Sequence, residues 1–214
     1  RCGAFNMHGS LLPKYRGRAP VNWAVLHGES ETGATLHEML ASPDAGPIVG
    51  QTAVPILPDD TAHEVFVKVR VAAEQTLWNT LPGLLAGTAP RRPNRLSEGS
   101  YFGRRRPEDG RIDWSQPALA IYNLHRAVAP PYPGAFTEAG GRVFTLVKAR
   151  LAGADVQGLP PGLCVAGGRI FGTGGDGRSL HIHALRAGTE TVTPAELERM
   201  LAGTGPASQL SWQG

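Results

Sequence analysis

Between residues 88 and 111 the chain drops its apolar repeats and fills with Arg, Pro, Gly and Asn. A stretch of that texture favours neither a packed helix nor a paired strand, so it predicts a connection between two units. The boundaries read as a first unit over 1–95, a linker over 96–111 and a second unit over 112–214. The 214 residues are enough to give each unit a core. Hydrophobic residues at 41% and charged residues at 18% exclude a disordered or solubilising tail. The 28 glycines and 18 prolines indicate many turns.

The first unit has an α/β texture. Residues 3–8 read as a buried strand that ends in polar side chains, followed by a loop over 9–19. Pro20 suits a first helical turn, and Val21 to Leu26 continue that helix until Gly28. Residues 33–40 and 48–56 predict strands, joined by the Pro/Gly loop Ser42-Pro43-Asp44-Ala45-Gly46-Pro47. Thr61 and Glu64 have capping-box spacing. Val65, Val69, Ala72, Ala73 and Leu77 then form an apolar stripe at helical spacing, with Pro82 expected to break or kink the helix.

The second unit opens with a helix expected over 116–128 and capped by Ser115. Short β-like runs follow at 135–137, 143–149, 163–165, 169–171 and 180–184, separated by Gly-rich turns. Thr193 and Glu196 repeat the capping-box spacing ahead of a short helix ending at Leu201. Several short strands with small helices read as an OB-like β-barrel.

The net charge of +3 permits an anionic ligand without marking a nucleic-acid stripe. Cys2 and Cys164 are too few for a disulfide framework and read as ordinary thiols, which fits a cytoplasmic location. No run approaches the ~18 apolar residues of a membrane span, so no membrane partner is expected. His181 and His183 share a strand face but lack an evident third ligand, so no metal is expected. Thr173 to Gly177 reads as a hairpin turn, and the four tryptophans, Trp23, Trp78, Trp114 and Trp212, as packing anchors.

Chemistry concentrates in Asn6-Met7-His8-Gly9-Ser10-Leu11-Leu12-Pro13-Lys14-Tyr15-Arg16-Gly17. Two positions apart on a strand, Asn6 and His8 project to one face. At the end of such a strand they face the crevice where open α/β sheets bind ligands. Asp44 lies in the loop between two later strands. An amide donor, an imidazole and a carboxylate suit acyl transfer to an amine. Ser10 lacks a base partner at triad spacing and reads as a backbone-bonding turn residue. Lys14 and Arg16 read as solvated loop residues beside the site.

The run from Asn6 to Pro13, with Asp44-Ala45-Gly46, resembles the signature of the folate-dependent formyltransferases. The resemblance extends over nearly the whole chain. It implies the later part of a Rossmann-like catalytic domain followed by the small OB-like domain, with Asn6, His8 and Asp44 as the catalytic trio and Gly46 at the cofactor. It implies 10-formyltetrahydrofolate as formyl donor and an amine as acceptor. Four further segments, Pro13 to Pro20, Phe102 to Arg105, Ile112 to Trp114, and Asn123 to Val128 with Pro131 to Phe136, resemble the branch that formylates UDP-4-amino-4-deoxy-L-arabinose in lipid A modification. That likeness implies a UDP-amino-sugar acceptor, with Arg18, Arg104, Arg105, Arg126 and Tyr132 on the substrate side. Charged initiator tRNA is the alternative acceptor. Family members also carry an upstream portion, so Arg1 reads as a cut edge. An inactive fragment or binding module is then a third reading.

Overall fold

The computed structural model describes residues 3–154 and 156–202, so Cys2 and Trp212 lie outside the described residues. The chain divides into two compact units, residues 1–106 and 107–214.

In the first unit β1 (Phe5–His8) pairs with β3 (Glu31–Glu38), and β3 pairs with β4 (Ile48–Pro55). Both pairings are antiparallel, with Asn6 opposite His37 and His8 opposite Thr35. Helix α1 (Pro20–Leu26) starts at the expected proline. The long helix α2 (Ala62–Leu85) covers the sheet through Val65, Val69, Ala72 and Thr76, all buried. Its cap is the expected box: Thr61 Oγ1 accepts from the Glu64 amide at 3.3 Å while Glu64 Oε2 accepts from the Thr61 amide at 2.7 Å. Pro82 neither ends this helix nor lies in its core. It is exposed, so the carbonyl its missing N–H would have served can turn to water.

The Arg-, Pro- and Gly-rich stretch after α2 is fastened to the first unit from Arg92 to Phe102, so the first residues of the expected linker over 96–111 are held as well. Arg92 exchanges two backbone hydrogen bonds with Ile48, at 2.8 and 2.9 Å. Strand β5 (Tyr101–Phe102) lies parallel to β2 (Arg16–Gly17), which belongs to the loop that follows β1. Without apolar periodicity such a segment can still be held by backbone pairing and by single side chains, here Phe102 stacked on Tyr15 and Trp23 at 5.4 and 4.8 Å.

The second unit is a curled antiparallel sheet in the order β6 (Ala135–Ala139), β7 (Arg142–Leu151), β10 (Ser179–Ala187), β9 (Arg169–Thr173), β8 (Gly162–Ala166), with β11 (Glu190–Thr191) on β10. Helices α3 (Ala118–Val128) and α4 (Pro194–Ala202) pack on it. Ser115 does not cap α3. Its amide and hydroxyl both go to Asp113 Oδ1, at 2.9 and 2.6 Å, and the amide of Ala118 is served instead by Asp176 Oδ1 at 3.0 Å. Asp176 belongs to the expected hairpin turn between β9 and β10, so that turn does a capping job. Trp114 is an anchor as expected: its ring lies where a Cβ at Gly172 would otherwise sit, and its Nε1 donates to Thr137 at 2.9 Å. Trp78 is not, being 80% exposed on α2.

Candidate active site

The period of a strand puts Asn6 and His8 on one face of β1, and the antiparallel register brings His37 of β3 to that neighbourhood. The loop between β3 and β4 folds Asp44 back onto them. Asp44 Oδ1 lies 3.4 Å from Asn6 Nδ2, 3.5 Å from His8 Nδ1 and 3.5 Å from His37 Nε2. Its other oxygen accepts from the Gly17 amide at 2.8 Å. One carboxylate oxygen is thus pinned and the other faces three nitrogens at long range.

Asp44 holds a left-handed backbone, φ 51°. Such a conformation strains a non-glycine residue, and Asp is among those that tolerate it best. Asn94, from the Arg- and Pro-rich stretch after α2, holds the loop there: its Nδ2 donates to the Asp44 and Gly46 carbonyls at 2.9 and 3.2 Å. Gly46 has a packing reason to be glycine, since a Cβ would run into the Glu38 carbonyl. That same carbonyl lies 2.8 Å from His37 Nδ1.

These contacts fix the hydrogens. A carbonyl only accepts, so His37 carries a hydrogen on Nδ1, and when neutral its Nε2 takes one from Asn6 Nδ2 at 3.3 Å. His8 Nε2 lies 2.8 Å from the Tyr15 carbonyl and therefore carries a hydrogen too. Nδ1 is the His8 atom turned to Asp44. Asn6 presents its NH₂ rather than its carbonyl, because a carbonyl against the carboxylate would be repelled. His8 and His37 are 6% and 2% exposed, so water competes little for these contacts.

The loop after β1 supports the arrangement. Ser10 is a backbone-bonding residue, its Oγ donating to the Lys14 carbonyl at 2.7 Å. Thr35 Oγ1 donates to the Ser10 carbonyl at 2.6 Å, and Gln51 donates to Leu12 and Thr35, each at 2.9 Å. The Tyr15 hydroxyl donates to Glu29 at 2.9 Å; burial first, and then this carboxylate, hold the phenol above its ordinary pKa.

The structure brings Asn6, His8, Asp44 and Gly46 together. Arg18 is exposed, and its amide donates to the Phe102 carbonyl at 3.0 Å. Arg104 is exposed as well, whereas Arg105 is half-buried with its guanidinium 4.8 Å from the Trp23 ring centre. Arg126 and Tyr132 belong to the second unit. The Arg126 guanidinium is buried, 2.5 Å from Asn123 Oδ1 and 5.4 Å from the Tyr122 ring centre. Tyr132 sits half-buried in the proline-rich turn after α3. Lys14 is exposed and pairs with Glu29 at 3.4 Å. Sequence reasoning missed His37. Its signal was a histidine at the penultimate position of a strand that feeds the Asp44 loop, but only the β1–β3 register shows that it meets Asn6.

Among the described residues no group of three or more His, Cys, Asp or Glu is placed to hold a metal ion. No described helix is long and apolar enough to cross a membrane.

Residues 1–81 match the family model for formyl transferase, and residues 105–199 match that for the formyl transferase C-terminal domain. Among solved structures, the fold is similar to an N-formyltransferase from Helicobacter canadensis in complex with folinic acid and dTDP-3-aminofucose. That match has a TM-score of 0.71 at 23% identity, covering 83% of this chain and 65% of the other. WlaRD, a sugar 3N-formyl transferase determined with dTDP and 5-N-formyl-THF, matches with a TM-score of 0.67 at 24% identity, covering 83% and 63%. HypX from Aquifex aeolicus in complex with tetrahydrofolic acid matches with a TM-score of 0.68 at 21% identity, covering 94% and 36%. The chain therefore spans less than two thirds of the length of each of these proteins, and the likeness is one of fold.

Proposed function

We propose that this chain, which belongs to the formyl transferase family in both of its matched segments, transfers a formyl group from 10-formyltetrahydrofolate to the amine of a sugar nucleotide. The observation that carries the reading is the convergence of Asn6, His8 and His37 on one oxygen of Asp44, inside the segment that matches the catalytic family model.

The reaction needs three things: removal of a proton from the attacking amine, support for charge on the formyl oxygen, and a proton for the folate nitrogen that leaves. Asp44 Oδ1, with only long contacts at 3.4–3.5 Å, takes the amine's proton as nitrogen bonds to the formyl carbon. Asn6 Nδ2 donates to the formyl oxygen as it becomes negative; such a donor is typically worth about 2.7–4 kcal/mol. Protonated His8 then gives its Nδ1 hydrogen to the folate nitrogen as the carbon–nitrogen bond breaks. Asp44 returns the amine's proton to His8 Nδ1, 3.5 Å away, and the cycle closes. His37 keeps the Asn6 amide turned toward the reacting atoms.

For the acceptor we favour a UDP-amino-sugar of the 4-amino-4-deoxy-L-arabinose type. The sequence likeness over Pro13 to Pro20 and Phe102 to Arg105 supports it, as do the dTDP-3-aminofucose named with one similar protein and the dTDP named with another. The exposed Arg18 and Arg104 suit the diphosphate, whereas Arg126 serves α3 through Asn123 and Tyr122. The test offers 10-formyltetrahydrofolate with the UDP-amino-sugar, with a dTDP-amino-sugar, and with charged initiator tRNA, following consumption of the donor. Formylation of the UDP-amino-sugar is expected. Formylation of tRNA alone would overturn the acceptor, and consumption with none of the three would overturn the reading.

A further inference from the structure

The first unit uses only one face of α2, and the opposite face is not polar. Val67 (45% exposed), Val71 (62%), Trp78 (80%), Leu81 (42%) and Leu85 (74%) run along it. With the exposed Glu74 these positions follow one another at spacings of four, three, four, three and four residues. That is the a/d seam of a coiled coil, on a helix whose outward face would ordinarily be charged. The seam extends over about 27 Å of helix.

We propose that α2 packs against α2 of a second copy of this chain, antiparallel, about a two-fold axis at the level of Thr76. The order of residues in the seam selects this occupant. In that arrangement Val67 meets Leu85, Val71 meets Leu81 and Glu74 meets Trp78 of the second copy, so all six positions find partners and the contact is isologous. A parallel pair would instead set Glu74 against Glu74 in the middle of the seam, with like charges facing each other. The helix ends agree. No basic side chain lies in the last turn of α2, and antiparallel packing lays the exposed Arg70 of each copy along the last turn of the other. The carbonyl end of a helix carries partial negative charge, so this placement is favourable. No seam residue is among the partners of the Asp44 carboxylate, so the contact does not depend on the chemistry assigned to them.

Sedimentation equilibrium on the full chain should give a dimer. Trp78→Glu and Leu85→Glu should each weaken it about tenfold or more without changing the thermal melt of the monomer, because both side chains are exposed. Glu74→Leu should tighten it. In a background with Cys2→Ser and Cys164→Ser, mixing Val71→Cys with Leu81→Cys should give a disulfide-linked heterodimer. A wild-type monomer at every attainable concentration would overturn the proposal. So would a dimer indifferent to Trp78→Glu, or cross-linking of Val71→Cys to itself in preference to Leu81→Cys.

Discussion

Asp44 concentrates more constraint than any other residue of the site. Its backbone is left-handed, one oxygen is tied to Gly17 and the other lies among three nitrogens. Asn6→Ala, His8→Ala and Asp44→Ala should each lower turnover at least about tenfold in steady-state formyl transfer, with the fold intact by circular dichroism. Near-normal rates in all three would contradict the assigned roles. His37 is a positioning residue, and its variants should separate. His37→Leu removes the ring nitrogen facing Asn6 and should lower kcat about tenfold with little change in KM. His37→Gln keeps a polar group near that point and should recover much of the loss. Equal losses in the two variants would mean that His37 matters only for packing.

At the scale of elements, the stretch after α2 ties the site together. Asn94→Ala removes both donors holding the Asp44 loop and should reduce turnover severalfold while α2 and the sheet stay folded. An unchanged rate would show that the loop holds itself. Helix α3 makes a different prediction. His125 is buried; burial first, then the positive charges of Arg150 and Arg126, hold its pKa down to about 4 from 6.5. The folded state resists protonating it, so below pH 6.5 the unfolded chain binds the proton more readily. Stability from this group is complete above pH 6.5 and is lost as pH falls toward 4, by about 3 kcal/mol at most. Denaturant titrations across that range should show the slope in the wild type and a flatter one in His125→Gln. Parallel slopes in the two proteins would assign the acid sensitivity elsewhere.

Across the whole chain, what was legible in the sequence was local. Pro20 set the start of α1, and Thr61 with Glu64 set that of α2, because caps and fixed φ act over a few residues. The pairing of Asn6 and His8 on one face followed from strand period, and the resemblance supplied Asp44. What was not legible depended on distant partners. Asp113 captures Ser115, leaving α3 to a cap from Asp176. His37 meets Asn6 only through register, and residues 92–102 are fastened by Ile48, Pro13 and Tyr15, none of which their own composition announces. The outward apolar face of α2 was not legible for another reason. An apolar residue at helical spacing can serve either face, and Leu77, expected in the buried stripe, is exposed.

The formyl transfer proposed for Asp44 and its partners can be followed directly with a labelled donor. The direct measurement supplies 10-formyltetrahydrofolate carrying ¹³C in the formyl carbon, with the UDP-amino-sugar, and follows the carbon by NMR in wild type and Asp44→Asn. The account predicts a ¹³C-formamide on the sugar in the wild type and its loss, with the donor signal persisting, in Asp44→Asn. A formamide produced at the wild-type rate by Asp44→Asn would contradict it.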